Sequence, residues 1–210
     1  MSDSKTGRPP IDVEARHAAT LGDAPRIGPL PQEEFTEELF ELAMEVRAGA
    51  GAPRTDVVPE FMATMLRHPE LFRRHSELAV VLFNGALPVR LRELAILRLA
   101  WLCGAPYEWC QHVGIAKRLG GVTDAEVERC SEGSTAPGWD ELDGAIVRAV
   151  EELHADAMIS GDTWDLLARH LNDKQLIELP IMLGQYQGVA YLQNSLHCRL
   201  MEGRKGLAER

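Results

Sequence analysis

Apolar residues recur along this chain at spacings of three and four, the period of helices that turn one stripe toward a core. Between Glu33 and Val46, for example, Phe35, Leu39, Phe40 and Ala43 fall at i, i+4, i+5 and i+8. The pattern predicts further helices over Glu60–Leu66 and Pro69–Phe83, split by His68-Pro69, and Asn84-Gly85 stops the run. Pro88 suits the first turn of a helix through Leu102, because its missing N–H is not needed there. Cys103-Gly104-Ala105 ends that helix and Pro106 opens the next. Thr123 and Glu126 form a capping box ahead of a short helix. Residues 130–138 read as a loop. Asp140–Ala157 then carries Leu142, Ala145, Ile146, Ala149, Val150 and Leu153 on one stripe. Ser160–Leu171 follows, and Lys174–Met201 is long and apolar, with a kink or break expected at Pro180. No stretch alternates long enough to predict a strand. The expectation is an all-α bundle of about seven to nine helices, one domain over residues 31–203. Residues 1–30, with Pro9, Pro10, Pro25 and Pro29, read as an extended arm holding at most a helical turn near Val13–Ala19.

A chain of 210 residues suits one well-packed domain with an extension. The formal charge of -10, with no dense Lys/Arg run, predicts neither a nucleic-acid partner nor docking on an anionic membrane. No run approaches the apolar length of a bilayer span, and Met1–Pro10 lacks the apolar centre of a secretory leader. A cytoplasmic location is therefore expected, where Cys103, Cys110, Cys130 and Cys198, none spaced as Cys-x-x-Cys, stay reduced. The expected partner is a small-molecule substrate. The apolar surplus of the last helix (Ile181, Met182, Leu183, Val189 and Leu192) suits either a homo-oligomer interface or the monomer core.

Chemistry concentrates in Pro106–Gly120, where Glu108, Cys110 and His112 lie within five residues at the start of a helix. Trp109, His112, Val113 and Ala116 share one face, and Glu108 sits one turn before His112. A carboxylate at i, i+4 can hydrogen-bond the imidazole, orient it and raise its pKa. Cys110 lies near the helix N-terminus, where partial positive charge favours thiolate. Two residues turn about 200° on a helix, so Cys110 and His112 do not touch directly. Glu93 shares a face with Ile96, Leu97 and Ala100, and desolvation there raises a carboxyl toward the range useful for proton transfer. The competing reading is a structural ion pair with Arg90, Arg92 or an arginine from elsewhere. A lone histidine or cysteine on an apolar face is also commonly plain packing. Cys110-x-His112 is not a ligand spacing a helix offers a metal, and no metal or other cofactor is expected. Tyr107 and Trp109 are candidate pocket walls, and Arg92 or Arg98 a candidate anchor for a substrate carboxylate.

Two segments, Arg-Glu-Leu-Ala-Ile-Leu-Arg-Leu-Ala at 92–100 and Tyr-Glu-Trp-Cys-Gln-His-Val-Gly-Ile-Ala at 107–116, resemble the carboxymuconolactone decarboxylase family. That family belongs to a helical superfamily with the D-type alkylhydroperoxidases. The strong resemblance covers Leu87 to Glu128, and a looser one Pro31 to Met201. It implies an alkylhydroperoxidase-D-like bundle that assembles as dimers, trimers or hexamers. Glu108-Trp109-x-x-His112 has the decarboxylase form. It implies a cofactor-free lyase, or a related isomerase or lactone-processing enzyme, acting on a small carboxylated lactone or another aromatic-catabolism product. In that reading His112, backed by Glu108, is the acid/base and Glu93 the second proton carrier. Cys110 lines the pocket, Tyr107 and Trp109 shape it, and Arg92 or Arg98 binds the substrate. The peroxidase branch uses Cys-x-x-Cys-x-x-x-His with an upstream glutamate. Laid on Tyr107, Cys110 and Gly114, that pattern keeps only Glu93 and Cys110 and has no resolving thiol at 107. A thiol peroxidase of peroxiredoxin type working through Cys110, and a non-catalytic oligomeric binding protein, are the alternatives.

Overall fold

Everything in the molecule is arranged around one helix, α5 (Val89–Leu102), whose residues from Leu91 to Ala100 are all buried. A computed structural model describes residues 11–210; the first ten residues of the expected arm lie outside the described residues. Ahead of α5 come α1 (Val13–Leu21), α2 (Glu37–Gly49), α3 (Glu60–Met65) and α4 (Pro69–Phe83). After it come α6 (Pro106–Gly120), α7 (Asp124–Glu132), α8 (Glu141–Asp156), α9 (Gly161–His170) and α10 (Asp173–Leu196). The described residues thus hold ten α-helices, two single 3-10 turns at Gln32–Glu34 and Gly206–Ala208, and no strand.

The all-α bundle is as expected, with one helix more than the apolar pattern counts. That helix is α1, in the proline-rich segment. Asp12 caps it by accepting from the Ala15 N–H, and the helix runs for nine residues instead of a single turn.

Two apolar clusters flank α5. On one side Leu91, Ala95, Ile96 and Leu99 pack on Ile146, Val150, Leu167, Leu179 and Met182 of α8, α9 and α10. On the other, Leu94, Leu97 and Ala100 pack on Trp109, Val113, Val127 and Leu207. A third cluster joins α2, α3 and the start of α4. Helix ends fall where local chemistry puts them. Thr36, Asp140, Ser160 and Asn172 each cap a helix with a side-chain oxygen, and Thr123 with Glu126 completes the capping box.

Three features depart from the sequence pattern. Residues 11–30 lie along the bundle. Arg16 donates from Nε to the Gly104 carbonyl (2.9 Å) and from Nη2 to the Cys103 carbonyl (2.7 Å), satisfying acceptors left over at the end of α5. Further along, the Arg26 N–H donates to the Leu196 carbonyl and the Leu30 N–H to the Ala63 carbonyl. Second, α10 passes through Pro180 without a break and stops at Leu196, where His197 turns to φ 56°. Proline removes one hydrogen bond, and the packing of Leu179, Met182 and Leu183 into the core outweighs that loss. Third, the fold runs past 203: Leu207 is fully buried, and the Trp109 indole N–H donates to the Glu209 carbonyl (3.0 Å). No helix among the described residues is long and apolar enough to cross a membrane.

Candidate active site

α5 and α6 are joined by a three-residue turn, Cys103-Gly104-Ala105, with Gly104 at φ 52°. A turn this short forces a helical hairpin, in which residues at matched heights face each other. Glu93 and His112 are such a pair. His112 Nδ1 donates to Glu93 Oε2 (2.7 Å), and Nε2 lies 3.2 Å from Glu108 Oε1, one turn back on its own helix. Arg92 Nε donates to the other Glu93 oxygen (2.8 Å). The Arg92 guanidinium lies 4.3 Å above the Phe83 ring, donates to the Phe83 carbonyl from Nη1, and leaves Nη2 buried with no partner. Tyr186 of α10 meets the His112 ring edge-on at 5.1 Å. None of these four charged residues is more than 6% exposed, so the imidazole sits between two carboxylates away from bulk water.

Burial by itself pushes an imidazolium toward its neutral form. Here the Glu93 and Glu108 carboxylates outweigh it and raise His112 to about 10. Burial likewise pushes the Glu93 carboxyl up, but His112 and Arg92 win and hold it below its ordinary range. The resting state is therefore an imidazolium clasped by two carboxylates, a proton donor at neutral pH. Burial keeps the Tyr186 and Tyr107 phenols protonated far above neutrality.

The other expected site residues go to different places. The Cys110 thiol is fully buried, donates to the Tyr107 carbonyl one turn back (3.3 Å), and lies under the 204–209 segment, where Arg204 donates to the Cys110 carbonyl. Burial raises that thiol, and Arg204 only partly opposes the rise. Trp109 points into the core, packed on Trp101 with ring centroids 5.0 Å apart. Arg98 pairs with Glu151 (2.8 Å) and donates to the Cys130 and Ser131 carbonyls, pinning the end of α7. Arg90 bonds Asp143 and Glu126. Tyr107 packs near Phe61 and lines a surface hollow of about 510 Å³ with Pro59, Glu60 and residues 199–202.

Glu93, His112, Glu108 and Arg92 thus come together, and Cys110, Trp109 and Arg98 do not join them. Three further residues belong to the cluster. Tyr186 covers the imidazole, and the Gln185 amide nitrogen contacts His75 of α4, whose ring feels the charge of Glu108. Nothing in a helical stripe marks these three, because their partners lie far away in the chain.

Residues 68–152 match the model of the carboxymuconolactone decarboxylase family, and the motif segments 92–100 and 107–116 fall inside that span. None of the curated proteins matches the chain. Solved structures share its fold at low identity. A protein of unknown function from Agrobacterium tumefaciens, described as a putative antioxidant defence protein AhpD, gives a TM-score of 0.60 at 18% identity, over 64% of this chain and 93% of that one. The alkylhydroperoxidase AhpD core of an uncharacterized peroxidase-related protein from Ralstonia eutropha JMP134 gives 0.69 at 16% identity, over 85% and 95%. The debrominase Bmp8 gives 0.65 at 18% identity, over 84% and 92%, and a variant of it was solved in complex with 2,3,4-tribromopyrrole. At these identities the likeness is one of fold.

Proposed function

We propose that this chain, a carboxymuconolactone decarboxylase segment on an alkylhydroperoxidase-D-like fold, is an acid–base lyase for a small carboxylated lactone or a kindred product of aromatic breakdown. The observation that carries the reading is the buried imidazole of His112, held between Glu93 and Glu108. Decarboxylation of such a lactone breaks one carbon–carbon bond. The electron pair enters the conjugated lactone and leaves a dienolate, which then takes a proton on carbon. The electron sink is in the substrate, so this chemistry needs no cofactor. What it needs from the protein is a charged proton donor in a dry site, where fixed charges act strongly on a developing enolate. His112 is that donor, Glu93 and Arg92 hold it charged and oriented, and Glu108 holds its other ring nitrogen. Nη2 of Arg92, buried and without a partner, is a donor left for an anionic oxygen.

Two observations weigh against the thiol-peroxidase alternative. The hydrogen bond from His112 to Glu93 sets the histidine of the Cys-x-x-Cys-x-x-x-His pattern at 112, which puts the two thiol positions on Ala105 and Glu108. Cys110 then lies outside the pattern, its thiol sealed beneath residues 204–209. A panel of carboxylated lactones, followed by release of carbon dioxide and uptake of solvent deuterium, tests the proposal. The wild type is expected to turn over at least one, His112→Ala to lose about 100-fold or more, and Cys110→Ser to keep full rate. Full turnover in His112→Ala, or peroxide reduction that Cys110→Ser abolishes, overturns it.

A further inference from the structure

Consecutive residues on a helix point about 100° apart and do not face each other. Arg92 and Glu93 are consecutive on α5, yet Arg92 Nε lies 2.8 Å from Glu93 Oε1. A contact that the helix itself does not favour has to be braced from outside, and Phe83 at the end of α4 supplies the brace twice. Its ring lies under the guanidinium at 4.3 Å, and its carbonyl accepts from Nη1. Glu93 and Phe83 account for every partner of the guanidinium among the described residues, and Nη2 has none. Away from water, the face of an aromatic ring holds a cation more firmly than it does at the surface.

The brace is itself anchored. In a continuing helix the Phe83 carbonyl would accept from the Leu87 N–H. That N–H donates instead to Glu178 of α10 (2.9 Å), as does the Ala86 N–H (2.7 Å), so α4 ends and the Phe83 carbonyl is released for Arg92. Gln175 Nε2 donates to the Ala86 carbonyl (3.0 Å), and Asn84 Nδ2 ties the turn to the Gly49 carbonyl of α2 (2.9 Å). A side chain at Gly85 would run into the Glu178 carboxylate, so the turn closes this tightly only with glycine. Two turns further along α10, Tyr186 meets His112 edge-on.

We propose that Phe83 is a positioning residue of the acid–base site: it holds the Arg92 guanidinium on Glu93, so that Glu93 divides its charge between two cations and lets the His112 proton go. A cation beside a carboxylate weakens its hold on a shared proton. When the proton leaves His112 for the substrate carbon, the imidazole becomes neutral and Glu93 keeps Arg92 as its counter-ion. An arginine that swings off Glu93 leaves that carboxylate to grip the imidazolium alone, and the donor turns into a sink. The charged or titratable groups facing His112 are Glu93 from α5, Glu108 from its own helix and Tyr186 from α10, while α4 turns His75 to Gln185. Arg92 acts on the imidazole through Glu93.

The inference rests on the acid–base reading of His112, but its test needs no substrate. In the full chain labelled with 15N-histidine, the His112 ring nitrogen shifts are followed by NMR as pH is raised, and the wild-type midpoint is expected at about 10. Phe83→Leu is expected to raise that midpoint by about half a unit or more. Phe83→Tyr, which keeps the ring face, is expected to leave it at the wild-type value. On an Arg92→Gln background Phe83→Leu is expected to add nothing, because the ring has no cation left to hold. A plain packing role would lower the melting temperature of Phe83→Leu and leave the midpoint where it was. An unchanged or lowered midpoint in Phe83→Leu, or a Phe83→Tyr that shifts as far as Phe83→Leu, overturns the proposal. If Phe83→Leu does not fold, Phe83→Met takes its place with the same outcomes. A raised midpoint in a protein that turns over no carboxylated lactone keeps the brace and discards the substrate class.

Discussion

His112 keeps a positive charge where a solitary buried imidazole would lose it, and this couples the site to stability. The sign follows from the direction of each shift. The folded His112 pKa, about 10, lies above the unfolded value of 6.5. Its stabilisation is therefore complete below about pH 6.5 and fades as pH rises toward 10. Glu93 is shifted down from 4.5, so its contribution is present above that value and is lost as pH falls below it. The melting temperature is expected to decline between pH 7 and 10, with a stability slope approaching about 1.4 kcal/mol per pH unit for one released proton. His112→Gln should flatten that limb. Thermal unfolding of both proteins across the range decides it, and an equally steep limb in the variant would show that other groups cause the decline.

Among the elements, α6 is the one whose position matters most, and it is held from outside by residues 204–210. That segment supplies the buried Leu207, the Glu209 carbonyl that accepts from Trp109, and Arg204 on the Cys110 carbonyl. Deleting it uncovers the indole face and leaves a buried N–H unpaired, a loss of about 3 kcal/mol or more. The expected result is a lower urea midpoint and red-shifted tryptophan emission; an unchanged midpoint would show that the segment merely rests on the surface. Such ties explain what could be read from the sequence and what could not. Glu108 with His112 was legible because both lie on one helix at i, i+4. Glu93 was legible as a desolvated carboxylate, since its helix is apolar nearly all round, and Arg92 was among its expected ion partners. Its bond to His112 depends on the α5–α6 hairpin, which no stripe encodes. The packing of residues 11–30 was hidden for another reason: Arg16 binds main-chain carbonyls, which look alike at every position. Gln185 with His75 pairs side chains from distant helices, and neither breaks the pattern of its own helix.

At the scale of the molecule, α10 is apolar on both sides. Its inner face fills the core, while Ile177, Ile181 and Tyr191 are each more than half exposed, and Val81 of α4 is 66% exposed. A 24-residue helix with so much apolar surface left over fits the homo-oligomer that the family resemblance implies. Light scattering is expected to give a multiple of the 23.3 kDa chain mass, and Ile181→Glu to return the single-chain mass. A single-chain mass for the wild type would end that expectation. The protein as a whole is strongly acidic, yet its inner quartet is balanced, with Arg92 and His112 offsetting Glu93 and Glu108. That electroneutrality has a consequence for whatever enters. A negatively charged guest would leave the enclosure with an uncompensated charge in a medium that tolerates none, so its arrival draws a hydrogen ion inward with it. Proton uptake on binding an anionic guest is the expected outcome, read as a heat of binding that changes with the ionisation enthalpy of the buffer.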